Sequence, residues 1–147
     1  MSLYKNILVA VDLSDESTIV LDKARDIAKK YEARLSLVHV IEPIAVGYAV
    51  EVSSIDIEGL HEEASRQARE TLLNMGTNVG IPQNRLHSLL GQPAREIREL
   101  AKNIDADLIV MGSHGRHGWE LLFGSTSSDV SHGVPCDLLS VRIPSES

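Results

Sequence analysis

Hydrophobic positions fall into two rhythms along this chain: short, nearly unbroken runs, and longer stretches with an apolar residue at every third or fourth place. The runs are residues 7–11, 35–41, 85–90, 108–111 and 138–143. Apolar runs of this length, bounded by polar or turn residues, read as strands buried on both faces. Between the first two, Ile19, Leu21, Ala24, Ile27 and Ala28 share one side of a helix that follows Ser14. Leu60, Ala64, Ala68, Leu72 and Met75 mark a second, longer helix over about residues 57–79, which Gly80-Ile81-Pro82 closes. Pro93 stands at the first turn of a third helix carrying Ile97, Leu100 and Ala101. Residues 125–131 read as a fourth, with Thr126 and Asp129 spaced like a capping box.

Strands alternating with helices predict an α/β protein with a parallel sheet, because parallel neighbours need crossover connections and those crossovers cover both faces. No internal repeat or linker interrupts residues 1–147, so the expectation is a single-domain, Rossmann-like open five-stranded sheet. Ligands of such sheets bind beyond the strand C-termini, where the strand order reverses. Asp12, Val40 and Gly112 all fall at predicted strand C-termini and can meet at one crevice.

The composition narrows the partner classes. A formal charge of −7 and 3% aromatic residues argue against a nucleic-acid or anionic-membrane surface. No stretch approaches a bilayer-spanning apolar segment, and the N-terminus lacks a hydrophobic signal core. The lone Cys136 sits beside Pro135 without a catalytic constellation, which fits a packing residue in a reducing compartment; the expected location is the cytoplasm.

The chemistry concentrates after the fourth run. Met111-Gly112-Ser113-His114-Gly115-Arg116 follows the strand directly, and Gly124-Ser125-Thr126 opens the last helix. Glycines at a strand end bring bare backbone to a ligand, and a helix N-terminus offers amide and hydroxyl donors to an anion. The layout predicts a phosphorylated ligand, with His114 a phosphate neighbour and Arg116 a charge partner. Plainer roles exist for each element: Asp12 could cap the first helix with Ser14, the glycines could be turn residues, and Ser125 and Thr126 could be caps. His114 and His117 have no partner pair of the kind zinc requires, so no metal ligand is expected. Glu62, Glu63, Arg66, Arg69 and Glu70 read as a solvated helix face.

Taken together, residues 4–12, 37–40, 107–115 and Gly124-Ser125 make the chain resemble the universal stress protein family over nearly its whole length. The resemblance implies the strand order 3-2-1-4-5, with adenine near the first two strand ends and phosphates on the glycine loop. It places Asp12 near the ribose, the Val40 backbone at the adenine, and Ala10 and Val11 in the neighbouring wall. Gly112, Gly115 and Gly124 match the glycine motif of the family's nucleotide-binding branch, but the eight-residue spacer 116–123 is one residue shorter than in that branch. Shifted phosphate contacts follow, so that AMP or ADP should bind about as well as ATP.

The expected function is therefore a stress-response or regulatory protein that binds AMP, ADP or ATP, with Mg2+ as a candidate companion of the phosphates. There is no GxxxxGK[ST] motif and no evident water-positioning group or arginine finger, so any hydrolysis should be slow. The alternatives are a weak ATPase that phosphorylates its own serines at 125–128, and a nucleotide-free dimeric adaptor. The terminal strand at 138–143 is expected at a sheet edge, where pairing would give a homodimer. A regulatory protein partner is expected as well; a nucleic-acid or membrane partner is not.

Overall fold

A computed structural model describes residues 3–43, 57–113 and 133–144. The elements in chain order are β1 (Asn6–Ala10), α1 (Ser17–Tyr31), β2 (Arg34–Ile41), α2 (Ile57–Asn78), a 3-10 turn (Gln83–Arg85), β3 (Leu86–Leu90), α3 (Pro93–Asn103), β4 (Leu108–Gly112) and β5 (Asp137–Val141). The five strands form one sheet in the order β3-β2-β1-β4-β5, and every pairing is parallel. The expected α/β class and strand order are both found. The helix expected at 125–131 and the site residues His114, Gly115, Arg116, Gly124, Ser125 and Thr126 lie outside the described residues.

Boundaries differ where local chemistry wins over the apolar run. Arg85 belongs to the 3-10 turn and not to a strand, because Pro82 starts a tight turn closed by the Arg85 N–H on the Pro82 carbonyl. β5 begins at Asp137 and ends at Val141, short of the expected residue 143. β1 likewise stops at Ala10, one residue before the end of its run.

Strand alternation sorts the apolar side chains into two cores. Ile7, Val9, Leu35, Leu37, Leu108 and Val110 face α1 and α2, together with Val20, Leu21, Ala24, Ala28 and Leu72 of those helices. Leu8, Ala10, Val38, Val40, Ile109 and Met111 face α3, whose Ala94, Ile97 and Ala101 complete the second core. Helix α3 buries Ile97 and Ala101 as its spacing predicted, but the expected faces shift on the other two: on α1 Val20 is buried and Ile19 exposed, and on α2 Ala68 and Leu72 are buried while Leu60 and Ala64 are exposed. Helix α1 ends at Glu32, whose φ of 54° is left-handed, and Gly80 supplies the left-handed residue after α2 at φ 79°. Helix α3 starts on Gln92, whose side chain accepts from the Arg95 N–H at 2.7 Å, with Pro93 behind it.

The N-terminal end of the sheet is clasped by a carboxylate. Asp107 accepts from the backbone N–H of Lys5 at 2.8 Å and of Asn6 at 3.1 Å, and its own N–H donates to the Asn6 carbonyl at 2.9 Å. The Asn6 side chain donates to the Ile104 carbonyl. Tyr4 reaches β5 through its hydroxyl, which donates to Asp137 at 2.9 Å, while its ring meets Tyr31 edge-on at 5.4 Å.

Candidate functional site

β1 and β4 are adjacent at the centre of the sheet, with β2 and β3 added on one side and β5 on the other. The order therefore reverses between β1 and β4, which is where an open α/β sheet presents a ligand crevice. Such a crevice is present, lined by Ala10, Val11, Asp12, Ser17, Val20, Gly112 and Ile143. Its enclosed part is about 10 Å³, on the order of one water-sized probe. Anything larger would lie over this opening rather than inside it.

Ala10, Val11, Val40 and Met111 are at most 2% exposed as whole residues, and their side chains pack into the two cores. Gly112 ends β4 against the crevice and brings no side chain to its lining. The Asp12 carboxylate stands at the rim, and its Oδ1 accepts from the Ser14 N–H at 3.0 Å, the Ser14 hydroxyl at 2.6 Å and the Ser17 hydroxyl at 3.0 Å. This carboxylate does not cap α1 itself, whose N-cap is Glu16 with no side-chain cap hydrogen bond. It fixes the turn into α1, in which Leu13 takes a left-handed φ of 65°; a non-glycine residue there is uncommon and marks a turn held by its surroundings.

Ser113 is drawn toward β5. Its N–H donates to the Val141 carbonyl at 2.8 Å, and its hydroxyl accepts from the Ile143 N–H at 3.0 Å. On the opposite flank, Nδ1 of His39 meets the Val11 carbonyl at 2.9 Å, which makes Nδ1 the protonated ring nitrogen. Ser17, Val20 and Ile143 were not in the expected site. Ser17 and Val20 could have been found from their helical phase after Asp12, whereas Ile143 reaches the crevice through strand register, which the local pattern does not carry.

Two other features count against different chemistries. Burial first, and then the nearby charges of Asp107 and Asp137, push the half-buried Cys136 thiol up to about 11. It stays protonated at neutral pH and has no nucleophile's character. Among the described residues no cluster of His, Cys, Asp or Glu could hold a metal ion, and no helix is long and apolar enough to cross a membrane. A groove of about 900 Å³ lies at the other end of the sheet, where α1 and α2 finish and β2 and β3 begin. Its lining mixes Asp22, Asp26 and Glu32 with Arg25, Lys29 and Arg85, and nothing in it resembles the strand C-terminal geometry that such sheets use for ligands.

A doubly wound parallel sheet with an opening at its switch point defines the class as an open α/β protein of nucleotide-binding type in architecture. Residues 3–142 match the family model described as "Universal stress protein family", and the chain belongs to that family. It is 39% identical over 138 residues to universal stress protein A homolog 1 of Coxiella burnetii, covering 94% of this chain and 96% of that protein. Among solved structures it is similar to the universal stress protein UspA from Lactobacillus plantarum, with 26% identity, a TM-score of 0.72, and coverage of 97% of this chain and all of that one. It is also similar to a universal stress protein crystallised in complex with cAMP, at 27% identity and TM-score 0.56, covering 95% of this chain and 98% of that chain.

Proposed function

We propose that this chain binds an adenine nucleotide over the β1–β4 crevice and acts as a cytoplasmic stress-response or regulatory protein, with no dedicated catalytic role. The observation that carries this reading is the meeting of Asp12 and Gly112 at one opening, from which the glycine pattern at Gly115 and Gly124 continues in sequence. The structural relative in complex with cAMP supports an adenine ligand. In this reading the Val40 backbone receives the adenine, Ala10 and Val11 form the wall beside it, and Asp12 receives a ribose hydroxyl. Because three local donors converge on Asp12 Oδ1, a ribose hydroxyl would share the carboxylate with them or displace one. Residues 111–116 and 124–126 hold the phosphates, Ser113 through its hydroxyl proton, since its N–H donates to the Val141 carbonyl and its hydroxyl oxygen only accepts from Ile143. The protein works as a homodimer paired through the β5 edge, which light scattering showing a monomer at high micromolar concentration would contradict.

Mass spectrometry of small molecules released from freshly purified protein, followed by calorimetric titration of AMP, ADP and ATP with Mg2+, tests the reading. Comparable affinities for the three are expected. Inserting one residue after Phe123 should restore a preference for ATP. An ATP preference of more than about tenfold in the parent, unchanged by the insertion, would defeat the spacer account. A second reading, the nucleotide-free adaptor, draws on the turn-holding role of Asp12 and the narrow opening. It takes over when none of the three nucleotides binds.

A further inference from the structure

The sheet order leaves β3 at one edge, with β2 on its inner side and, among the described residues, no strand on its outer side. The ladder fixes which backbone groups look outward. In a parallel pair, alternate residues of a strand turn their amides and carbonyls toward the neighbour, and the residues between them turn theirs away. Leu90 is level with Ile41, and the Gly91 N–H donates to the Ile41 carbonyl at 2.9 Å. By that alternation His87 and Leu89 bond to β2, while Leu86, Ser88 and Leu90 turn their backbone to the edge. The Leu86 N–H closes the 3-10 turn on the Gln83 carbonyl. The edge therefore offers the Leu86 carbonyl and both backbone groups of Ser88 and Leu90.

The side chains of the same three residues stand on the α2 face of the sheet. Leu86 and Ser88 line a cavity of about 520 Å³ whose opposite wall includes Arg66, Arg69 and Leu73 of α2. Leu90 lines a second, of about 540 Å³, to which Arg66 and Arg69 also belong. The shared arginines join the two into one trough alongside the β3 edge. Leu73 and Leu90 are still 40% and 47% exposed there, apolar surface that a strand laid on β3 would cover.

The two arginines differ in what they hold. Arg66 is satisfied twice, by Glu63 at 2.5 Å and by Glu70 at 2.8 Å. Arg69 forms no ion pair among the described residues, in a chain whose formal charge is −7. Glu70 on the first cavity is thus taken by Arg66, and Glu62 lines the second cavity only. A cation stands where the two cavities meet.

We propose that the β3 edge receives an extended peptide segment of another protein, with an apolar residue beside Ser88 and an acidic residue two positions away for Arg69. Backbone bonds to Ser88 and Leu90 supply the affinity, and the trough reads alternate side chains of the added strand. The small Ser88 side chain leaves room between Leu73 and Leu86 for the apolar residue. A second copy of this chain fits less well. Two-fold pairing of β3 with β3 sets the patch against itself, which brings Arg69 toward Arg69 and gives neither trough an acid. The surface lies at the edge opposite β5 and needs no nucleotide.

Fluorescence anisotropy of the full chain with a labelled heptapeptide, Thr-Val-Leu-Thr-Asp-Val-Thr, tests this against two peptides of the same length. One has lysine for the aspartate; the other is N-methylated at the leucine, the aspartate and the residue between them. The aspartate peptide should bind at least about tenfold more tightly than either. Arg69→Gln should erase the preference for aspartate over lysine, and Arg69→Glu should reverse it. Hydrogen exchange at the Ser88 and Leu90 amides should slow when the aspartate peptide is added, while the Leu89 amide, on the β2 side, keeps its rate. Failure of the aspartate peptide to bind, equal binding of all three, or a preference that the Arg69 variants leave unchanged would overturn the proposal. So would Ser88 and Leu90 amides protected before any peptide is added: protection that grows with protein concentration gives the edge to a second copy, and protection independent of concentration gives it to the chain itself.

Discussion

The two ends of the sheet solve the same problem in opposite ways. At the N-terminal end, Asp107 gathers the Lys5 and Asn6 amides and Tyr4 bridges to Asp137, so the strand starts are tied together across β1, β4 and β5. At the C-terminal end, Asp12 turns its Oδ1 inward on Ser14 and Ser17, the His39 ring meets the Val11 carbonyl and the Ser113 hydroxyl accepts from the Ile143 N–H. A carboxylate that accepts backbone amides from another strand closes an end; one that holds its own turn leaves the end open. The N-terminal end is therefore tied by contacts a hundred or more residues apart, while those at the crevice end span 30 residues or fewer.

Substitutions that act on one end alone test that contrast. Asp107→Ala strips the acceptor from the exposed Lys5 amide and the part-buried Asn6 amide and should cost about 2 kcal/mol in denaturant unfolding. Nucleotide affinity should stay within about twofold of the parent, since the change lies at the far end of the strands. A matching loss of affinity would mean that the two ends are coupled through the sheet.

Asp12→Ala should cost less stability, about 1 kcal/mol, because it removes exposed hydrogen bonds within the single turn ahead of α1, but it should weaken nucleotide binding. Asp12→Asn sharpens the point: its amide oxygen can keep the Ser14 and Ser17 bonds, so the fold should be nearly as stable as the parent. Any remaining affinity loss then reports the negative charge itself. Finding Asn and Ala equally unstable would show that the charge, and not the acceptor geometry, holds the turn.

Tyr4→Phe is the smallest expected change, under about 1 kcal/mol after allowance for solvent screening. The hydrogen bond to Asp137, with lesser help from burial and from the Asp137 charge, raises the Tyr4 hydroxyl above its ordinary value of 10.0. A raised folded-state value means that this contribution is complete below pH 10 and fades as the pH climbs through the folded value. The stability gap between parent and Tyr4→Phe should accordingly close above pH 10, as followed by urea unfolding at stepped pH. A gap that widened there would contradict the sign of the shift.

Much of the architecture was legible along the chain because it rests on short-range periodicity. The apolar runs located all five strands, and the spacing of Leu21, Ala24 and Ala28 identified most of the buried face of α1, though Val20 takes the place expected of Ile19. Asp12, Val40 and Gly112 could be placed at strand ends, since a strand end is a local event. The misplaced edges at Arg85 and Ile143 arose where a turn hydrogen bond or a side-chain rung ended a ladder inside an apolar run. Asp12 presented both of its roles in sequence, and only the geometry showed that it holds the turn through Ser14 and Ser17 while α1 takes Glu16 as its N-cap.

By itself, then, the sequence determined the α/β alternation, the two-sided burial of the strands and the residues available at their C-termini, because each depends on chemistry within a turn or two of the chain. Tertiary structure alone decided that Asp107 reaches residues about a hundred positions away, that the His39 ring lands on the Val11 carbonyl, and that Ile143 closes the crevice beside Gly112. Those contacts depend on strand register, which the packing of the whole sheet against its helices fixes at once and which no local window of sequence contains.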